Sequence, residues 1–476
     1  MAEKGSEKII IESEVVVQEG ELKRDLKVHQ IAMLSISGTI GTGLFLGSGY
    51  ILNVAGSGGL FISYIFGGII MILMLLCMGE MLLERPVAGN VQVYASDFLG
   101  YSSGFTVGWA KWLQLAITVP TQIVASSIYM KNIFPSIPEI VWIIGFAILL
   151  FILNASSAKD YGASSFVFSS IKVILVVVFV IVGLGMMTGI IGDKPLGLSN
   201  MYNNGGLFPN GFIPVMMSMM SAVFSYSGSD MFATAASESK DPEKSLPRAI
   251  KVSSISILAT YAITLVVLSC VLPWAQASAD QSPFAQVFGL AGFRYAEVFV
   301  YAIVVTSALS SANAHVFAAV RTLWSMGNYN QAPGFVGKIN KRSIPMNALY
   351  VTMVFQLFAI AANFISPDVV YLFLTTFIGS AELLVYSLTG AAALSHRKYY
   401  VSTGGKVENL KFKIPGFPIV PITLIVLCIA VATGMIFDPT QRASLYMGAP
   451  VFIALFAGST MYAKSKGIDT KLKLGK

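Results

Sequence analysis

The segment Gly38-Thr39-Ile40-Gly41-Thr42-Gly43 lies in the middle of an apolar run over residues 31–52. Hydrocarbon offers no hydrogen-bond partners, so backbone crossing a bilayer stays helical unless protein or a water-filled cavity satisfies it. Three glycines and two threonines within six residues disfavour helix at that depth. A second interruption, Ser225-Tyr226-Ser227-Gly228-Ser229-Asp230, falls five apolar runs later. Paired interruptions in corresponding positions of two halves are the sequence sign of a substrate site in a secondary transporter. The expectation is an all-α membrane protein whose helices 1 and 6 are broken around a central site.

Composition supports the membrane part of this reading independently. Only 12% of the 476 residues are charged, against roughly 25% in soluble domains. Runs of about 20 apolar residues number twelve: 31–52, 60–83, 105–131, 139–158, 165–191, 211–236, 249–274, 295–325, 346–365, 369–394, 416–437 and 444–463. With a cytoplasmic N-terminus, 24 of the 31 Lys and Arg fall on the inner side, four on the outer side and three within spans. That asymmetry is what the positive-inside rule requires. The net charge of +7 therefore reports topology, and no nucleic-acid partner is expected. Cys77, Cys270 and Cys428 sit singly in apolar runs and read as core residues, not a disulfide framework.

The organisation expected is a cytoplasmic leader over 1–29, a transport core of spans 1–10 over 30–395, spans 11 and 12 with their preceding loop over 396–463, and a tail over 464–476. The leader mixes acids and bases, unlike the basic n-region of a cleavable signal peptide. The tail is basic and suits anionic lipid head groups. The expected location is the plasma membrane, with both termini cytoplasmic.

Several motifs in one order carry a resemblance. They are the first span, Glu238-Ser-Lys-Asp-Pro-Glu-Lys-Ser-Leu-Pro247-Arg-Ala-Ile250, Ala308-Leu-Ser-Ser-Ala-Asn313, Gln331-Ala-Pro333, Ser343-Ile-Pro-Met-Asn-Ala348 and Ser169-Ser-Ile-Lys172-Val. The chain resembles the bacterial (AAT-type) amino-acid permeases of the amino acid–polyamine–organocation superfamily from about residue 22 to 435. The resemblance implies the LeuT-like fold, with spans 1–5 and 6–10 as an inverted repeat, spans 11 and 12 peripheral, and alternating access.

An amino acid presents a carboxylate and an ammonium close together. Freed N–H groups at a half-helix N-terminus suit the first, and freed carbonyls suit the second. The resemblance implies that Thr39, Thr42 and Gly43 meet the carboxylate, and that carbonyls of Thr39, Phe224 and Ser227 meet the amine. Ile40, Gly41, Ser225 and Gln122 complete the expected site. Gly43-x-x-x-Gly47 equally suits close helix packing.

Ionisable residues inside spans are functional candidates, because insertion scales charge at least ~2.5–3.5 kcal/mol for each. Lys172 matches the Lys of proton-coupled relatives. By that match its ammonium replaces the sodium ion held between spans 1, 5 and 8 in sodium-coupled relatives, donating to span 1 carbonyls and to hydroxyls such as Ser310 and Ser311. The other reading is a lysine that snorkels to the interface. Asp230 either relays a proton or holds the broken helix. Glu80 and Glu84 are expected to pair with bases such as Arg85 or to cap backbone, and Glu382 is a further candidate for lining the cavity. The chain also departs from the family pattern. Gln122 stands where relatives often carry Glu, and Gly162-Ala163-Ser164-Ser165-Phe166 replaces Gly-Glu-x-Glu-Phe. Fewer acids favour a neutral over a cationic amino acid.

No G-x-x-x-x-G-K-[ST], H-E-x-x-H or Cys/His metal spacing occurs, so no cofactor, metal or enzymatic activity is expected. The partners expected are an amino acid, protons and lipid, without sodium. Amino-acid exchange, a lysine-type permease and a non-transporting nutrient sensor are the alternatives.

Overall fold

The computed structural model describes residues 28–468, apart from 86, 88–90, 157, 193, 235–238, 240, 241, 278–281, 294, 295, 366 and 438. The leader up to residue 27, the tail from 469, and most of the Glu238–Asp241 stretch lie outside the described residues. Among the described residues there is helix and no strand. The helices are α1 (Val28–Thr39), α2 (Ser48–Glu84), α3 (Val91–Leu99), α4 (Tyr101–Ile133), α5 (Glu139–Asn154), α6 (Ala158–Thr188), α7 (Ser199–Tyr202), α8 (Ile213–Ser225) and α9 (Met231–Thr234). They continue as α10 (Pro242–Val271), α11 (Pro283–Leu290), α12 (Ala296–Asn328), α13 (Met346–Val354), α14 (Gln356–Ile365), α15 (Pro367–Ser402), α16 (Ile419–Ile436) and α17 (Pro439–Ser465). Eight helical stretches among the described residues are long and apolar enough to cross a membrane. Three shorter apolar helices, Glu139–Asn154, Ile213–Ser225 and Met346–Ile360, accompany them.

The core centres on α4, which packs along α12, α15, α3 and α17. The other half of the core is built by α1 against α10, α6 and α12, and by α2 against α8 and α10. Mixed apolar and small polar faces explain the arrangement: α4 buries Lys111, Gln114, Thr118 and Gln122 in one stripe at helical spacing, a pattern that only facing protein, not lipid, can satisfy. By contrast α16 and α17 turn Ile422, Val426, Ile429, Ile453 and Tyr462 outward, as lipid-facing helices do.

Two features depart from the sequence reading. The loop expected between the first two apolar runs is almost absent. The helix runs on through α2 with a single corner at Gly56, φ 72 and ψ −179. Its orphaned polar groups find partners at once: Gly58 N donates to Leu207 O (2.8 Å), Asn210 Nδ2 donates to Val54 O (2.9 Å), and Asn53 Nδ2 to Ala277 O (2.7 Å). Helices α3 and α11 were also absent from the sequence reading, because nine- and eight-residue amphipathic segments vanish in a 20-residue window.

The far end of α2 holds a buried ion pair. Glu80 is fully buried and accepts Arg397 Nε (2.8 Å), Arg397 Nη2 and the backbone N–H of Ile414 (2.8 Å). Glu80 thus pairs with a base and accepts backbone, as expected of it, with Arg397 in the place of Arg85, which instead donates to Asp97 Oδ2 (2.6 Å). The physical reason lies in the C-cap: Arg85 leaves helical geometry at φ −141, ψ 88, and turns toward α3. Glu84 does cap backbone, accepting Lys411 N–H at 2.9 Å. One carboxylate thus ties α2, α15 and the 403–418 connection together. Removing one partner of such a pair strands a buried charge, at a cost of about 3–5 kcal/mol. Arg397→Met should therefore lower the melting temperature in detergent sharply, and Glu80→Leu with Arg397→Met should recover much of the loss.

Candidate substrate site

Helix α1 stops at Thr39, where the run Gly38–Gly43 begins to disfavour helix. Ile40 and Gly41 leave helical geometry, and the chain resumes as a π-helical turn over Gly43–Gly47 before α2. Single π turns are frequent at functional sites. The interruption frees consecutive carbonyls, and other helices take them up. Lys172 Nζ, on α6, donates to Ser37 O (2.8 Å) and Ile40 O (2.7 Å). From α12, Ser311 Oγ donates to Gly38 O (2.9 Å) and Ser307 Oγ to Ile40 O (3.2 Å). From α10, the Tyr261 hydroxyl donates to Thr39 O (3.1 Å). Every carbonyl from Ser37 to Ile40 is thereby held by a side chain. Ser310 Oγ meets Ser37 Oγ at 2.7 Å, one turn along the same α12 face.

The second interruption follows α8. Residues 226–230 form turns, with Gly228 at φ 83, a left-handed conformation that glycine adopts without penalty. The two breaks touch, since a Cβ on Gly38 would lie 3.1 Å from Gly228 O. Tyr261 bridges them, its single hydroxyl hydrogen shared between Thr39 O and Ser225 O, the latter at 2.6 Å. Tyr64 adds a second bridge, donating to Gly43 O (3.0 Å) and meeting Ser225 Oγ at 3.1 Å. Tyr64, Tyr226 and Tyr261 form one cluster of ring contacts behind the breaks.

On the other side stands the polar stripe of α4. Gln114 Nε2 donates to Ser227 Oγ (2.8 Å), and Ser227 Oγ donates to Glu382 Oε2 (2.6 Å). Lys111 Nζ lies 2.9 Å from Asp230 Oδ2 and 3.8 Å from Glu382 Oε1. Gln122 Nε2 is 3.3 Å from the position a Gly41 Cβ would take. Thr42 and Gln122 each bury a side-chain oxygen that has no protein partner among the described residues, whereas buried polar atoms are ordinarily paired. Phe224 packs with Ile117, Leu374 and Ile378 in a small apolar cluster separate from the main core. No group of three or more His, Cys, Asp or Glu converges among the described residues.

Comparison with known proteins agrees with this architecture. Residues 30–472 match the amino acid permease family model. The chain belongs to the amino acid permease family. It is 36% identical over 441 residues to a putative histidine permease of Bacillus subtilis (strain 168), covering 92% of this chain and 93% of that one. It is 36% identical over 440 residues to the amino-acid permease RocE of the same organism, covering 92% and 94%. The lysine-specific permease LysP of Escherichia coli (strain K12) is 31% identical over 454 residues, covering 92% and 93%. The permease is accordingly a multi-pass membrane protein that transports amino acids, and not an enzyme.

The structure gathers Thr39, Ile40, Gly41, Thr42, Gly43, Ser225, Ser227, Gln122, Lys172, Ser310, Ser311 and Asp230 around the two breaks. It also shows occupations that the sequence left unseen. Thr39 O already accepts Tyr261, and Phe224 O accepts Ser227 N–H (3.0 Å); each carbonyl keeps a second lone pair. The Ser310 and Ser311 hydroxyls bind α1 itself, while the ammonium expected to reach them donates to Ser37 O and Ile40 O. Lys111, Gln114, Ser307 and the three tyrosines were not singled out in the sequence. The charge-in-span argument that selects Lys172 applies equally to Lys111, whereas a tyrosine in an apolar run carries no such signal.

Gly43 proves to be a packing position. A Cβ there would lie 2.6 Å from Ser225 Cα, while one at Gly47 would meet nothing closer than 3.8 Å. Overpacking of this kind costs about 1–3 kcal/mol. Gly43→Ala should lower the melting temperature and the yield of monodisperse protein, and Gly47→Ala should match wild type in both.

Proposed function

We propose that the protein is a secondary active importer of amino acids in the plasma membrane, driven by proton symport through alternating access. The observation that carries this reading is the clamp on residues 37–40, in which an ammonium from α6 holds carbonyls at a helix break beside a second break. Twelve spans arranged as a 5+5 inverted repeat accommodate the helices: α1 with the start of α2, the rest of α2, α4, α5, α6, α8 with α9, α10, α12, α13 with α14, α15, α16 and α17. The two breaks then fall in spans 1 and 6. Thr39, Ile40, Gly41, Thr42, Gly43, Phe224, Ser225, Ser227 and Gln122 bind the cargo, Lys172 and Asp230 serve proton coupling, and Ser310 and Ser311 support the break. Lys172 Nζ fills the place a sodium ion would need, so sodium is dispensable.

Charge supports a neutral cargo. Lys111 and Lys172 against Asp230 and Glu382 sum to zero around the breaks, and a zwitterion leaves that sum unchanged. A cationic amino acid is the second reading, favoured by similarity to a lysine-specific permease and to the histidine permease HisP of Lactococcus lactis subsp. cremoris (strain MG1363), 31% identical over 458 residues.

Proteoliposomes loaded with purified protein should accumulate a neutral amino acid when a proton gradient points inward, with or without sodium. Lys172→Arg should abolish accumulation, because Arg stays protonated at every relevant pH. Wild-type accumulation by Lys172→Arg across the pH range would defeat the proton-carrier role and leave exchange as the better reading.

Topology is tested separately. Single cysteines at the exposed positions Lys194 and Lys341 should differ in reactivity toward an impermeant thiol reagent applied to intact cells. Lys194→Cys should react from outside and Lys341→Cys should not, as both termini being cytoplasmic requires; the reverse pattern would invert the topology.

A further inference from the structure

We infer that Lys111, Asp230 and Glu382 form a charge filter that sets the net charge of the amino acid the permease accepts. The inference rests on the proposed transport reading and assigns the specificity within it. The three side chains come from three different parts of the fold, α4, the turn after α8, and α15, yet their charged atoms lie within 3.8 Å of Lys111 Nζ. All three are buried, at 4% exposure or less. The cluster has two acids for one base and a formal charge of −1. Glu382 is the surplus acid. It is the farther partner of Lys111, and its other oxygen holds the Ser227 hydroxyl at 2.6 Å. Ser227 lies in the second break, whose backbone is proposed to hold the substrate ammonium.

The surplus negative charge therefore borders the amine pole of the cargo. It compensates an ammonium on the substrate, while Lys172 across the first break brings the total to zero. Each added or removed unit charge at this cluster must change the discrimination between cargo of different charge. Coulomb interaction at an effective dielectric constant of about 20 over roughly 10 Å corresponds to a shift of about tenfold or more. Gln114 Nε2 fixes Ser227 from the opposite side at 2.8 Å, so the hydroxyl transmits the position of Glu382 to the break.

The test measures uptake of three radiolabelled mixtures, the uncharged, the basic and the acidic amino acids, into proteoliposomes containing the full chain. Lys111→Gln should raise the basic-to-uncharged uptake ratio about tenfold. Glu382→Gln should lower that ratio and raise acidic uptake relative to uncharged. Asp230→Asn reaches the same total charge at another residue and, read by substrate counterflow so that its proposed part in proton coupling is not required, should shift the ratios in the same direction as Glu382→Gln, whereas Glu382→Asp should keep the wild-type ratios. Unchanged ratios in variants that still take up amino acids would overturn the filter. So would opposite shifts in Glu382→Gln and Asp230→Asn, or loss of uptake in all three charge-changing variants despite monodisperse protein, which would reduce the cluster to a structural latch. Uptake of none of the mixtures by wild type would overturn the transport reading and the filter with it.

Discussion

Four carbonyls, those of Ser37, Gly38, Thr39 and Ile40, must be satisfied where no water reaches them. Leaving one such group unpaired in an apolar setting costs about 2–7 kcal/mol, so the break in α1 can exist only if neighbouring helices supply donors. They supply a lysine, two serines and a tyrosine. The dependence runs both ways. A lysine with no exposed surface would be excluded from this core if the carbonyls of residues 37 and 40 did not receive it. Helix break and buried charge therefore explain each other, and the packing of α6, α10 and α12 on α1 follows from that exchange.

The same arrangement constrains how the molecule can move. The donors to α1 sit on three separate helices, so any displacement of α1 must break several hydrogen bonds together. Bonds from an ionised donor are roughly twice as strong as neutral ones. In the proposed cycle, loss of the Lys172 proton weakens the clamp at Ser37 and Ile40 while leaving the hydroxyl donors in place. The conformational equilibrium then responds to protonation because one state holds the ammonium better than the other. Tyr261 links this clamp to the second break through Ser225 O, so α1 and the end of α8 share a donor and cannot be displaced independently.

Much of this was legible in the residues, because the signals were local. Glycines and serines within apolar runs mark both interruptions, and a charge in a span marks Lys172. Partners distant in sequence were not legible. The ties of Lys111 to Asp230 and of Glu80 to Arg397 span 119 and 317 positions, and nothing in either neighbourhood specifies the other. The corner at Gly56 was not legible for a related reason. The stretch from Asn53 to Gly59 is rich in small residues, and only the distant segments around Leu207 and Ala277 supply the hydrogen bonds that let helix run up to both sides of it.

Close packing between the breaks also limits where a cargo can touch them. Gly43 lies against Ser225, and Gly38 against Gly228 and Met231, so those edges meet protein. Ser37, Gly38 and Ile40 turn their carbonyls to α6 and α12. Within the proposed site, the edge at Gly41 and Thr42 stands opposite Gln122 on α4, and Phe224 packs with Ile117 and Ile378 in an apolar cluster of its own. In the proposed reading, selection among neutral side chains falls to the shape of the Phe224 cluster, while selection by charge falls to Lys111 of α4 with Asp230 and Glu382.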